Sequence, residues 1–298
     1  MSQYAIIVVA YNRPDSLKRL LKSIESANYL GDEVTLIISI DRSNTNEVTR
    51  IAELFEWCNG KKEIRTFDCN QGLRRHILAC GEYLDTYEAV AVLEDDIVVS
   101  PHFYNYMKQT INFYGDDDQI AGISLYKHEW NVVANLPFHP LDTQFDTYFM
   151  QFAQSWGQIW LRKQWNEFIK WYKENPDIFH EENKKFPHTI ASWSDSSWLK
   201  YHIRYCVETN KVFVYPYVSL STCYTEVGIH NKTSISRYQV PMQMSYVEKY
   251  NFMKYANQSL CYDVYMENVQ LANQLKTQYG NVCIDLYGKK DWLYIDEN

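Results

Sequence analysis

The chain has 298 residues and a formal net charge of −8, from 29 Lys+Arg against 37 Asp+Glu. Hydrophobic residues make up 46% and charged residues 22%, a globular composition that excludes a largely disordered chain and suffices for one large or two small domains. The acidic balance argues against a general nucleic-acid binder, which carries a basic face.

Aromatic residues reach 16%, with 25 Tyr and 9 Trp. Rings fill cores, and they also stack on sugars and bases. Most are read as packing and the remainder as a carbohydrate or nucleotide groove. No run approaches the roughly 18 apolar residues of a membrane helix. The apolar run 5–10 lacks the length and basic flank of a secretory signal. The 7 cysteines include no Cys-x-x-Cys pair and are odd in number. That favours a reducing, cytoplasmic setting over a disulfide framework or a zinc site. The sequons at Asn231 and Asn257 read as chance matches.

Residues 4–10 form a continuous β-branched run, the pattern of a strand buried on both faces in a parallel sheet. Tyr11-Asn12-Arg13-Pro14-Asp15 breaks it, with Pro14 suited to a first helical turn and Asn12 to its cap. Leu17, Leu20, Leu21 and Ile24 follow at helical spacing. Residues 34–40 predict a second buried strand, ended by Asp41-Arg42-Ser43-Asn44, and residues 48–55 a second amphipathic helix. A short strand at 63–67, a helix at 73–84 and an apolar strand at 89–93 continue the alternation. Strand–helix alternation predicts an α/β fold of right-handed βαβ units with a parallel sheet. Ligands in such sheets bind at the carboxyl ends of strands, and the polar clusters 11–13, 41–43 and 94–96 all lie at such ends.

The second half is less regular. A strand is expected at 120–125, loop and short strands over 126–149, and one helical face over 155–172 through Trp160, Trp165, Phe168, Ile169 and Tyr172. Core packing is the expected role of that face; a peripheral membrane contact is the alternative. A helix at 197–208, a strand at 212–217 and a polar loop at 222–237 follow. Residues 242–275 are expected to be helical, with a small strand at 282–286. The expected division is a domain over 1–240, with a nucleotide half (1–125) and an acceptor half (126–240), and a mainly helical extension over 241–298.

The chemistry concentrates at Leu93-Glu94-Asp95-Asp96-Ile97. Carboxylates crowded at a strand end repel one another unless a cation neutralises them. Hard divalent cations such as Mg²⁺ or Mn²⁺ prefer oxygen ligands and share their shell with substrate phosphates. The plain alternative is a solvated acidic turn, the reading assigned to Asp116-Asp117-Asp118; the position after a clean strand favours the metal. Asp41 suits a uracil imide or a ribose hydroxyl, or else a local turn. Arg13 suits a diphosphate, or else a surface salt bridge. Arg74 and Arg75 open the third helix and offer a further phosphate contact.

Taken together, Val8-Val9-Ala10-Tyr11-Asn12-Arg13-Pro14, Ile38-Ser39-Ile40-Asp41 and Leu93-Glu94-Asp95-Asp96-Ile97-Val98-Val99-Ser100-Pro101-His102-Phe103 resemble a GT-A-fold glycosyltransferase. The likeness is to N-acetylglucosaminyltransferase I and bacterial family 2-like relatives, in which E-D-D replaces D-x-D. Ser155-Trp156-Gly157-Gln158-Ile159-Trp160 is similar to the family's acceptor-side segment. Ser192-Trp193-Ser194-Asp195-Ser196-Ser197-Trp198 is similar to its base-bearing segment, although Ser194 intrudes between Trp and Asp. The resemblance covers residues 4–235.

It implies a nucleotide-binding sheet fused to a mixed acceptor half, and inverting, metal-dependent transfer from a UDP-sugar to a glycan or lipid-linked glycan. It assigns Asp96 and Glu94 to the metal, with His230 as a further ligand. Ala10, Tyr11, Asn12, Arg13, Asp41, Arg74 and Asp95 are assigned to the donor. Asp195 is the implied base, with Trp156, Gly157 and Trp193 on the acceptor side. A sugar-nucleotidyltransferase is the second reading, weakened by the lack of a Gly-rich basic loop after the first strand. A non-catalytic carbohydrate-binding protein is the third.

Overall fold

The β-branched run at the N-terminus becomes β1 (Tyr4–Ala10), a strand buried along its whole length. The structure is a computed structural model and describes residues 3–175, 186–224, 236–256, 258–280 and 283–290. Helix α1 (Pro14–Glu25) starts with Pro14 in its first turn and buries Leu17, Leu20, Leu21 and Ile24. Its cap residue is Arg13, not the expected Asn12, and no side chain bonds the helix end. β2 (Thr35–Ile40), α2 (Glu47–Leu54) and β3 (Lys62–Thr66) follow as the periodicity predicts. Helix α3 (Leu73–Cys80) is shorter than expected, because Gly81 turns the chain into a 3-10 segment, Gly81–Asp85. A Cβ on Gly81 would overlap the indole of Trp165, so that close approach requires glycine.

β4 (Ala89–Glu94) and the short β5 (Ile97–Val99) bracket the acidic turn. Helix α4 (Phe103–Tyr114) was not anticipated; its first five residues, Phe103–Met107, are buried on every side, which blurs the apolar stripe that marks a surface helix. β6 (Ile120–Ser124), β7 (Trp130–Asn131), β8 (Leu136–Pro137) and β9 (Thr147–Met150) follow. The stretch 155–172 is not one helix: Gln158–Leu161 is strand β10, and α5 begins at Arg162 and runs to Glu174. Trp160 belongs to the strand and Trp165 to the helix, and their rings stack at 3.9 Å inside the core. That burial removes these rings from any membrane contact.

α6 (His188–Ala191), α7 (Leu199–Glu208), β11 (Val212–Pro216) and β12 (Ser221–Cys223) precede β13 (Cys261–Tyr262) and α8 (Val269–Tyr279). The helix expected over 242–275 is therefore confined to α8, and the described residues 242–256 and 258–260 are irregular. Residues 283–286 form no strand.

Nine strands make one mixed sheet, ordered β13-β9-β11-β6-β10-β4-β1-β2-β3. β3, β2, β1 and β4 run parallel, then β10 inserts antiparallel between β4 and β6. The chain steps outward from β1 through β2 to β3 and then returns to β4 on the other side of β1. That reversal opens a crevice at the carboxyl ends of β1 and β4, the usual ligand position in such sheets. β5 and β12 pair separately, antiparallel, just beyond that crevice. Beyond residue 240, β13 completes the edge of the same sheet beside β9.

Candidate active site

Backbone pairing brings the strand ends together. Asp41 N–H donates to the Ala10 carbonyl at 3.0 Å, and Asp95 N–H to the Val9 carbonyl at 3.0 Å. The Tyr11 backbone N–H donates to the Asp95 carboxylate. Asp95 is only 3% exposed at its side chain. Burial pushes its carboxyl up to about 6, against the pull of Arg13.

Arg13 lies across the acidic turn. Nη2 contacts Asp95 Oδ1, and Nη1 contacts Asp96 Oδ2 at 3.1 Å. Burial opposes its charge, but Asp96 and Asp95 outweigh burial and raise its pKa. Asp96 Oδ1 is buried and, among the described residues, has no hydrogen-bond partner. Glu94 points elsewhere and accepts a hydrogen bond from the Trp198 side chain. Burial and the Asp96 charge push the Glu94 carboxyl well above the ordinary carboxylate range.

Trp198 ties this corner to the segment carrying Asp195. Asp195 is 98% exposed, while Lys200 is 2% exposed and donates to Asp195 Oδ1 at 3.1 Å and to the Trp193 carbonyl at 3.0 Å. Arg74 Nη1 donates to the Tyr201 hydroxyl at 2.6 Å and stacks over its ring, joining α3 to α7. Residues 193–201 thus sit against β4 and α3. Trp198 closes the segment that the sequence singled out, whereas Lys200 and Tyr201 lie outside every motif, and only the packing of α7 brings them here.

Asp41 is the centre of a local hydrogen-bond network. Oδ1 accepts from Arg42 N–H and Gln71 N–H at 2.8 Å each, and Oδ2 from Asn70 Nδ2 at 3.2 Å and Gly72 N–H at 3.0 Å. It therefore staples the loop that opens α3. The Asn70-Gln71-Gly72 turn composition was the available signal.

In the segment expected to face the acceptor, Trp156 packs against Tyr126 at 4.8 Å and Tyr238 at 4.6 Å between ring centroids. Gly157 has φ +99, and a Cβ there would stand 3.1 Å from Leu125 Cβ and Ser221 Oγ. Ser221 donates to the Trp156 carbonyl at 2.6 Å, and Tyr224 N–H to the Asp96 carbonyl at 2.7 Å. β12 therefore links the Trp156 platform to the acidic turn. Trp193 is half-buried and Asn12 is exposed at the strand end. His230, and most of the loop 222–237 around it, lie outside the described residues.

The donor set suits a hard divalent cation. Among the described residues no three His, Cys, Asp or Glu side chains form a closed cage. The turn instead offers the orphaned Asp96 oxygen beside Asp95, as a Mg²⁺-type ion needs when substrate phosphates complete its shell.

The family model for glycosyl transferase family 2 matches residues 5–186. The chain belongs to glycosyl transferase family 2. Its sheet is accordingly a GT-A sheet, with the parallel half carrying the acidic turn.

A search of curated protein sequences finds no match. Solved structures with similar folds include S. aureus TarS 1-349 in complex with UDP-GlcNAc, at 13% identity and TM-score 0.47, covering 77% of this chain and 60% of that one. GalNAc-T7 with UDP, GalNAc and Mn²⁺ has 12% identity and TM-score 0.47, over 72% of this chain and 42% of that one. The mannosyltransferase PcManGT from Pyrobaculum calidifontis, in complex with GDP-Man and Mn²⁺, has 13% identity and TM-score 0.40, over 56% of this chain and 46% of that one. The family member described here thus spans between two fifths and three fifths of these structures' own length, and no site argument rests on them. Among the described residues no helix is long and apolar enough to cross a membrane.

Proposed function

We propose that the chain is an inverting, divalent-metal-dependent glycosyltransferase that takes its sugar from a UDP-sugar and passes it to a hydroxyl of a glycan or lipid-linked glycan. The observation that carries this reading is the convergence of Arg13, Asp95 and Asp96 at the carboxyl ends of β1 and β4, where the strand order reverses.

Asp96, through its unused Oδ1, is the residue that would hold a Mn²⁺ or Mg²⁺ ion, with Asp95 beside it. When bound, such an ion supplies positive charge where the leaving diphosphate gains negative charge. Tyr11, Asn12 and the loop stapled by Asp41 form the wall for the nucleoside. Arg13 is the guanidinium within reach of the diphosphate. Trp156, Gly157 and Trp193 are the acceptor-side elements, with Trp156 offering a ring face for a sugar.

In the transfer step the acceptor oxygen attacks the anomeric carbon from the face opposite the diphosphate. The carbon–phosphate oxygen bond breaks, its electron pair leaves with UDP, and the acceptor proton passes to Asp195. One displacement inverts the anomeric centre. Asp195 is exposed and paired with Lys200, so an acceptor hydroxyl reaches it from solvent.

The test is a panel of nucleotide sugars assayed for hydrolysis and transfer with and without Mn²⁺. Metal-dependent release of UDP is expected. Release of pyrophosphate from a nucleoside triphosphate and a sugar phosphate would favour a nucleotidyltransferase, and binding without turnover would favour a carbohydrate-binding protein. Asp195→Asn is expected to keep UDP affinity and lower transfer by about 10²–10⁴-fold; near-wild-type turnover would remove Asp195 as the base.

A further inference from the structure

We infer that Arg13 is an internal counter-cation that latches the acidic turn, so that divalent-cation binding waits for a nucleoside diphosphate to draw the guanidinium away. The inference rests on the metal-dependent reading above and adds an order of binding to it.

The geometry is specific. Arg13 occupies the cap position of α1, fixed in place by Pro14 at the first helical turn. Its two terminal nitrogens each take a different carboxylate, Asp95 and Asp96. Asp95 is buried by this contact and by the Tyr11 backbone, whereas Asp96 keeps one buried oxygen unclaimed. A guanidinium stays charged at every accessible pH, so protonation changes on Arg13 cannot open the latch. A competing anion can. A diphosphate presents the paired oxygens that a planar guanidinium binds in two-point fashion. When Arg13 turns to it, the carboxylates lose their counter-charge, and the vacated Asp96 oxygens favour a divalent cation.

Nucleotide and metal then bind with positive coupling, and that coupling is reciprocal. A simple structural salt bridge makes the opposite prediction: removing Arg13 loosens the turn and weakens both ligands.

The experiment measures Mn²⁺ binding to the full chain by the loss of the free-ion paramagnetic resonance signal, with and without saturating UDP. For the unaltered chain, UDP is expected to tighten Mn²⁺ about tenfold or more. Arg13→Met is expected to bind Mn²⁺ alone about tenfold more tightly than the unaltered chain, with most of the UDP-induced gain lost. Arg13→Lys keeps a charge that cannot span both carboxylates, and is expected to fall between the two. If Arg13→Met does not fold, as read by circular dichroism, the Arg13→Lys comparison decides. Variants that bind Mn²⁺ alone no more tightly than the unaltered chain overturn the latch. Mn²⁺ binding to the unaltered chain that UDP leaves unchanged overturns the latch while leaving the metal site standing. No Mn²⁺ binding with or without UDP removes the metal reading itself, and the latch with it.

Discussion

The two halves of the sheet teach different lessons about where a function is written. In the parallel half, β1, β2 and β4 are short, mostly apolar runs that end abruptly in polar residues. Burial on both faces demands an unbroken apolar run, and the chemistry is pushed to the loop where the run stops. In the mixed half, aromatic residues carry the core, and the same rings suit strand, helix or groove. Trp160 and Trp165 stack on each other from a strand and a helix that one periodicity had merged. The donor end is therefore specified by local pattern, and the acceptor end by tertiary packing.

The largest expected effect lies in the legible half. Asp96→Ala removes the carboxylate with the unclaimed buried oxygen. It is expected to lower kcat/KM by about 10³-fold, read in a transfer assay at fixed Mn²⁺. A loss under tenfold would detach function from the acidic turn.

Asp41 sharpens the comparison, because its position at a strand end was legible and the network around it was not. Its carboxylate serves four donors on its own and the 70–72 loop. Asp41→Ala is expected to cost roughly 2–4 kcal/mol of stability in urea unfolding, since buried N–H groups lose their acceptor. A variant that lost UDP affinity with no loss of stability would restore Asp41 to direct base contact.

The illegible half is expected to respond in packing. Gly81→Ala drives a methyl into the Trp165 indole, at an expected cost of about 1–3 kcal/mol. An unchanged denaturation midpoint would mean that the Trp160–Trp165 stack gives way freely.

A further effect, confined to acid pH and absent at neutral pH, is a pH slope. Burial lowers the pKa of His76 to about 4 and those of His128 and His202 to about 3. Between these values and the ordinary value near 6.5 the unfolded chain binds more protons than the folded one. Stability is fully present above about pH 6.5 and falls as pH drops toward the folded values. His202 has both ring nitrogens unpartnered and stacks on Phe168 at 4.1 Å. His202→Phe is expected to flatten the acid limb by about 1.4 kcal/mol per pH unit. A parallel shift of the whole curve would mean that His202 is not held neutral.

Much of the candidate site was readable because its residues are sequence neighbours of strand ends: Tyr11 to Arg13, Asp41, and Glu94 to Asp96. Arg13 was read as a phosphate ligand, yet in the donor-free chain it holds Asp95 and Asp96, a contact between residues more than eighty positions apart. Lys200 was invisible for the same reason, and Trp198 was legible as the end of a motif but not as the partner of Glu94. Their neighbours Leu199 and Tyr201 give no hint that α7 will pack its start against Glu94 and Arg74. The expected helix over 242–275 fails where residues beyond 240 fill gaps around other rings, as Tyr250 and Phe252 do against Tyr106.

The most direct test is anomalous diffraction from a crystal of the chain grown with Mn²⁺ and UDP. The account predicts one manganese peak bonded to Asp96 at the carboxyl ends of β1 and β4, with the diphosphate beside it and Arg13 turned onto its oxygens. Manganese and nucleotide bound away from that crevice, or UDP seated there with Arg13 still joined to both aspartates and no metal peak, would contradict it.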